Sequence, residues 1–114
     1  MKPSIAIRRG TGIAAAIAFI TAGSAIGADL AAAKKIVNDT CQACHGMDGN
    51  SQIPDNPKLA GQHRDYLAKA LRDYKSGARK NPIMAGFAGL LSPQDIDNLA
   101  AYFSVQPPVL LQKM

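Results

Sequence analysis

The chain has 114 residues, with 13 Lys and Arg against 8 acids, all of them Asp, and only two Cys and two His. That length allows one domain beside a processed leader, and two cysteines exclude a framework of several disulfides. The formal charge of +5 comes without a basic stripe interleaved with aromatics, which excludes nucleic acid as the expected partner class.

The N-terminus begins with Lys2, Arg8 and Arg9. An uncharged run over residues 10–28 follows, with its apolar centre at 13–20. Small residues then cluster at Gly23-Ser24-Ala25 and Ala25-Ile26-Gly27-Ala28. This is the layout of a secretory signal peptide, with an uncleaved membrane anchor as the alternative. The Ala- and Gly-rich run favours removal, with cleavage between Ala25 and Asp29. Arg8-Arg9 suggests twin-arginine export, but Gly10-Thr11-Gly12 follows where a bulky apolar pair belongs, so general secretion is preferred. The expected location is the periplasm, with no stable membrane insertion after cleavage. The expected parts are a signal over residues 1–28, a domain over 29–108 and a tail over 109–114.

Loss of the first 28 residues leaves 86 and removes Lys2, Arg8 and Arg9, so ten basic residues face eight acids. The basic character therefore belongs mostly to the precursor. Lys58, Lys69, Lys75, Arg79 and Lys80 are candidates for a patch that docks an acidic partner, although a solvated helix face is the commoner reading.

A first helix is expected from Asp29, a good N-cap residue. Ala33, Ile36, Val37, Thr40 and Cys41 share one face at helical spacing. The helix leads into Cys41-Gln42-Ala43-Cys44-His45-Gly46. Two cysteines three apart with a histidine directly after the second are the attachment signature of a c-type haem. Each thiol adds across a porphyrin vinyl group, and the histidine reaches the iron from one face. Residues three apart on a helix are neighbours, so both thiols reach the same side. A redox dithiol normally needs a βαβ setting, which is not visible here. Zinc wants about four N or S ligands, and beyond the motif only His63 remains. One structural disulfide is the third alternative.

Residues 47–62 are rich in Pro, Gly, Asn and Asp and lack helical periodicity, which predicts a loop. A second helix is predicted from about His63 to Ser76. Its stripe is Tyr66, Leu67, Ala70, Leu71 and Tyr74, and Gly77 is its C-terminal cap. Residues 79–91 are expected to be a loop with at most a short helical turn, because Pro82 and the glycines oppose a long one. The third helix has Ser92 as N-cap, Pro93 at the first position and Asp95 in the first turn. Ile96, Leu99, Ala100 and Phe103 form its buried stripe, and Pro107-Pro108 ends the pattern. From Val109 onward the tail is expected to be loosely ordered, with docking of Val109-Leu110-Leu111 on the surface as the alternative. The fold class is all-α.

A haem held by His45 needs a ligand, or an open position, on its other face. Met47 lies too close to His45 in sequence to cross over. Met114 sits on the tail, and His63 opens a polar helix. Met84 lies 39 residues past His45, between two helices, and is the favoured ligand, although a methionine on an apolar stretch is usually core filler. A thioether sulfur raises the reduction potential, bis-histidine lowers it, and an open position permits gas binding or peroxide chemistry. With both positions filled, the expected role is one-electron transfer with no substrate chemistry.

Together these residues resemble a small class I cytochrome c, most like the bacterial cytochrome c4/c553-type group. The resemblance rests on residues 41–46 with Asp48-Gly49-Asn50, then Pro57-Lys58-Leu59-Ala60-Gly61-Gln62 and Tyr66-Leu67. It continues through Asn81-Pro82-Ile83-Met84 and Leu91-Ser92 to residues 96–103. It implies three main helices and loops wrapped around one covalent haem c, joined through Cys41 and Cys44, with His45 and Met84 as axial iron ligands. It also implies that the Pro57 carbonyl accepts a hydrogen bond from His45 Nδ1, and that the first and third helices cross, with Val37 or Ala33 facing Leu99 and Phe103. Cytochromes c4 proper carry two such domains and this chain has one. The expected function is a periplasmic carrier, not an enzyme, between a donor and an acceptor such as a respiratory complex, a dehydrogenase, or a terminal oxidase or reductase. The alternative is a haem subunit of a larger oxidoreductase, such as a flavoprotein dehydrogenase.

Overall fold

The computed structural model describes residues 27–109, together with residues 4, 10 and 12–18. The small-residue cluster around Gly23-Ser24-Ala25 and the tail from Leu110 to Met114 lie outside the described residues. All regular structure among the described residues is helical. None of the described helices is long and apolar enough to cross a membrane.

Helix α1 spans Leu30–Ile36. Asp29 caps it, its side chain accepting from Ala32 N at 2.9 Å. The Asp29 backbone N–H donates to Asn98 Oδ1, also at 2.9 Å, which ties the start of the domain to a residue 69 positions away. The chain runs straight on through a π-helical turn, Val37–Cys41, into the short α2, Gln42–His45. A π turn holds an extra residue within the helix and is frequent at functional sites. Here it directly precedes Cys44 and His45 and carries Cys41 itself. Gly46, at φ 81°, ends the run.

Helix α3, Arg64–Ser76, starts one residue later than expected, with His63 at the cap position but without a capping side-chain bond. Gly77 closes it in the left-handed conformation at φ 83°, which glycine adopts without a side-chain penalty. Helix α4, Pro82–Ala88, is longer than the turn expected of this stretch. Its start explains the difference. Asn81 Oδ1 accepts from Ile83 N and Met84 N, both at 3.1 Å. Pro82 sits at the first helical turn, where its missing N–H costs nothing and its fixed φ suits the helix. Read this way, Asn81-Pro82 starts a helix instead of breaking one.

Helix α5, Pro93–Ser104, carries a full capping box between Ser92 and Asp95. It packs on α1 and on α3, and α3 packs on α4. The buried core joins Ala33 and Val37 of the first run, Leu67 and Ala68 of α3, and Ile96, Leu99, Ala100, Tyr102 and Phe103 of α5. Tyr102 and Phe103 meet edge to face, with ring centroids 5.2 Å apart.

Three buried features fall outside the apolar stripes read from the sequence. Asn98 is buried with its Oδ1 accepting from both Asp29 N and Gln94 Nε2. Tyr102 lies inside and donates its hydroxyl to Met47 O at 2.8 Å. Asn50 clamps the segment after α5. Its Nδ2 donates to Pro107 O at 3.0 Å and its Oδ1 accepts from Val109 N at 2.7 Å. Pro107 to Val109 are therefore docked, because one buried amide satisfies two of their backbone groups. Replacing Asn50 by alanine should lower stability by about 1–2 kcal/mol, the combined net worth of two such bonds. Thermal melting of the variant beside the wild type checks this, and an unchanged midpoint would show that the clamp is idle.

Candidate cofactor site

The helix-to-loop junction at Gly46 presents the Cys41–His45 run to one cavity of about 320 Å³. That volume falls within the range of about 300–1,000 Å³ typical of small-molecule and cofactor pockets. Cys41, Cys44 and His45 form one part of its wall. Leu67 and Leu71 of α3, Met84 and Ala88 of α4, and Leu99 and Phe103 of α5 contribute others. Four separate segments thus enclose a largely apolar space beside two thiols and one imidazole.

His45 is 7% exposed. Its Nδ1 lies 2.8 Å from the Pro57 carbonyl oxygen. A carbonyl only accepts, so Nδ1 carries a proton, and in the neutral tautomer this bond selects, the lone pair falls on Nε2. Among the described residues no hydrogen bond engages Nε2. This contact orients the ring and leaves the nitrogen suited to a metal free to bind one. The Pro57 residue itself is exposed; only its backbone oxygen serves the site. The loop carrying it is pinned at several points. The Ser51 hydroxyl donates to Cys44 O at 2.9 Å. Asp48 Oδ1 accepts from Asn50 N at 2.9 Å, which holds the Asp48 carboxyl below the usual carboxylate range. Leu59 N and Ala60 N both donate to Gly49 O. Nothing in the sequence singles out Ser51 or Tyr102 for these contacts, because both act on backbone oxygens that only the folded chain brings near.

Both cysteines are free and half-buried. Burial pushes the Cys41 thiol up to about 11. Such a thiol stays protonated at neutral pH and is a poor nucleophile for disulfide exchange, which weighs against the redox-dithiol alternative. Among the described residues no group of three or more His, Cys, Asp or Glu is arranged to hold a metal ion, which leaves the zinc alternative without a ligand set.

The distal candidates separate in space. Met84 is half-buried in α4 and lines the same cavity as His45. Met47 packs against the core instead. His63 is exposed at the start of α3, off the cavity wall. Met114 lies outside the described residues. The cavity therefore brings together Cys41, Cys44, His45 and Met84, and excludes Met47 and His63.

The family model for cytochrome c matches residues 30–104. The chain belongs to the cytochrome c family. It is 48% identical over 84 residues to cytochrome c4 of Pseudomonas aeruginosa, a match covering 74% of this chain and 42% of that one. It is 41% identical over 68 residues to the thiosulfate dehydrogenase electron acceptor of Stutzerimonas stutzeri, covering 59% of this chain and 32% of that protein. The crystal structure of reduced recombinant cytochrome c4 from Pseudomonas stutzeri superposes with a TM-score of 0.68 at 43% identity, covering 74% of this chain and 48% of the other. The chain thus spans less than half the length of these relatives. The helical architecture is that of the class I cytochromes c. A cytochrome c of this class carries covalent haem, and the residues here fit that group on chemical grounds. The cavity is apolar, two thiols stand on its wall, and the Pro57 contact on Nδ1 leaves Nε2 as the imidazole's free nitrogen.

Proposed function

We propose that this cytochrome c is a one-electron carrier of the periplasm, released from its export signal near residue 28. It holds one haem c, joined through Cys41 and Cys44, with His45 and Met84 as the axial pair. One observation carries the reading: two thiols and an imidazole from one contiguous run, and a thioether from a helix about forty residues on, line a single apolar cavity. The bound group supplies a metal centre that changes oxidation state by one electron.

The chain's own residues supply the rest. The Pro57 carbonyl fixes the imidazole tautomer and strengthens its donor nitrogen. The Met84 sulfur favours the reduced state. Leu67, Leu71, Leu99 and Phe103 keep water from the cavity, which lowers the local dielectric and tunes the potential. A filled axial pair leaves no position for a substrate, so the residues favour electron transfer over catalysis. Absorption spectra of the purified protein, oxidised and reduced, test the proposal. The expected result is a c-type spectrum with a methionine–iron charge-transfer band in the ferric state. A colourless protein from cells competent in haem attachment would overturn it.

A second reading has specific support in the electron-acceptor relative, whose name places it beside a dehydrogenase. On that reading the chain works as the haem subunit of a larger oxidoreductase. Exposed apolar residues that line the cavity, Ile83, Phe87 and Leu90, would then meet a permanent partner. Size-exclusion chromatography of a native extract separates the two. Elution at the size of the single chain supports the free carrier, and co-elution with a larger redox enzyme supports the subunit.

A further inference from the structure

Arg79 stands on the cavity wall, and the ion pairs of the fold do not use it. Among the described residues those pairs join Lys35 to Asp39, Lys69 to Asp73 and Arg72 to Asp97. Arg79 is nevertheless held in place. Its backbone N–H donates to Asp73 O at 3.0 Å, closing the turn that Gly77 opens. Its guanidinium carbon lies 4.9 Å from the Tyr74 ring centroid. Its Nη1 donates to the Tyr66 hydroxyl at 3.4 Å, a long contact. Both tyrosines line the cavity with it.

An exposed arginine loses about 2 kcal/mol of side-chain freedom when fixed, so two aromatic supports for an unpaired one need a reason. The contact with Tyr74 is made to the ring face and consumes none of the guanidinium's N–H donors. The weak Tyr66 contact occupies at most one of five donors. A planar fork of this kind matches a carboxylate through two parallel hydrogen bonds. The porphyrin proposed above brings two carboxylates, its propionates, into a cavity whose lining is otherwise mostly apolar. Those charges need a partner or a path to water.

We propose that Arg79, presented by Tyr66 and Tyr74, anchors a propionate of the bound porphyrin and so holds that carboxylate ionised. The inference rests on the haem reading and adds the group that orients the porphyrin's polar edge. The other charged side chains on the cavity wall are Asp55 and Lys58, both from the loop after α2. Asp73, one turn back on α3, also acts on Arg79 through its charge. Lys58 is the competing cation and serves as the control.

The test measures the reduction potential of the holoprotein from about pH 4 to pH 9. It compares the wild type with Arg79→Gln, Arg79→Lys and Lys58→Gln. An arginine beside a carboxylate lowers its pKa by about 1–3 units. In the wild type the propionate is therefore ionised across most of this range, and the potential stays level. In Arg79→Gln the propionate pKa rises by about one unit or more. The potential then falls at neutral pH, where an uncompensated negative charge favours the ferric state, and climbs back as acid neutralises that charge. Arg79→Lys restores part of the level profile, since an ammonium supplies the charge without the fork. Lys58→Gln follows the wild type. Arg79 is exposed, so the substitution leaves the core intact; Tyr74→Leu, which removes the stacking face, should reproduce part of the Arg79→Gln profile. Coincident profiles for Arg79→Gln and the wild type would overturn the inference while leaving the haem reading in place. A colourless wild-type protein would instead end the haem reading.

Discussion

Replacing Met84 by alanine should abolish the ferric methionine–iron charge-transfer band and lower the reduction potential by on the order of 0.1 V or more. Axial ligand identity tunes haem potentials over about 0.8 V, so losing one of two ligands is a large change on that scale. For a one-electron couple, each 59 mV or so is a factor of ten in equilibrium constant. A carrier displaced by 0.1 V therefore shifts its exchange equilibrium with a matched partner by roughly fifty-fold. The substitution isolates the sulfur well. Met84 sits inside α4, which Asn81 caps and Pro82 opens, and alanine is the best helix former. The helix should persist while the ligand disappears. Carbon monoxide should then bind the reduced variant readily and the wild type poorly. An unchanged ferric spectrum with an unchanged potential would remove Met84 from the iron and reopen the gas-binding alternative.

Leu99→Ala bounds what loss of packing alone does to that measurement. Leu99 lines the cavity and is 1% exposed, and such a truncation costs about 2–5 kcal/mol. It should weaken the domain while the charge-transfer band remains. A spectroscopic loss seen in Met84→Ala and absent from Leu99→Ala would thus report coordination, not general loosening.

How much was legible before folding depended on the range of each interaction. The all-α class followed from helical stripes and caps, which are local. Ser92-Pro93 with Asp95 places the start of α5 correctly because every partner lies within three residues. The cysteine pair and His45 were legible as chemistry because the motif is contiguous. Other features were not. Asn81-Pro82 reads equally as a breaker or as a helix start, and only the cap bonds to Ile83 and Met84 decide it. The π turn over Val37–Cys41 has no composition of its own. Asn98 and Tyr102 look like polar exceptions on a stripe until their partners, 69 and 55 residues away, are in place. The docked Pro107–Val109 stretch depends on Asn50, which reads from the sequence as an ordinary turn residue. Arg79 likewise reads as one more surface charge until the turn after α3 brings it over Tyr74.

Gly49→Ala should be the most damaging of the loop glycine substitutions, costing about 2–5 kcal/mol. Two physical terms combine at this position. Its φ of +75° lies in the left-handed region, where a side chain costs about 1–2 kcal/mol. A Cβ there would also stand 2.8 Å from both Ala60 N and Phe103 Cδ1. Both neighbours are fixed, one as backbone and the other as a buried core ring, and such overpacking costs typically 1–3 kcal/mol. Two other glycines separate the terms. Gly77 has φ +83° with open space around it, and Gly46 has φ +81° with its nearest contact at 3.4 Å. Gly77→Ala should show only this left-handed cost, and Gly46→Ala the larger backbone cost of a ψ of 157°, a region essentially reserved for glycine. In a domain of this size about 1 kcal/mol moves the melting midpoint by roughly 4–8 °C. Gly49→Ala should therefore melt on the order of 10 °C below Gly77→Ala. The displacement also reaches the site, because Gly49 O anchors Leu59 and Ala60, immediately after the loop that offers the Pro57 carbonyl to His45. A looser imidazole should accompany the lower midpoint, seen as a broadened ferric spectrum in the folded variant. Equal midpoints for Gly49→Ala and Gly77→Ala would show that loop and core part freely at this contact, and that the imidazole is held by something other than this packing.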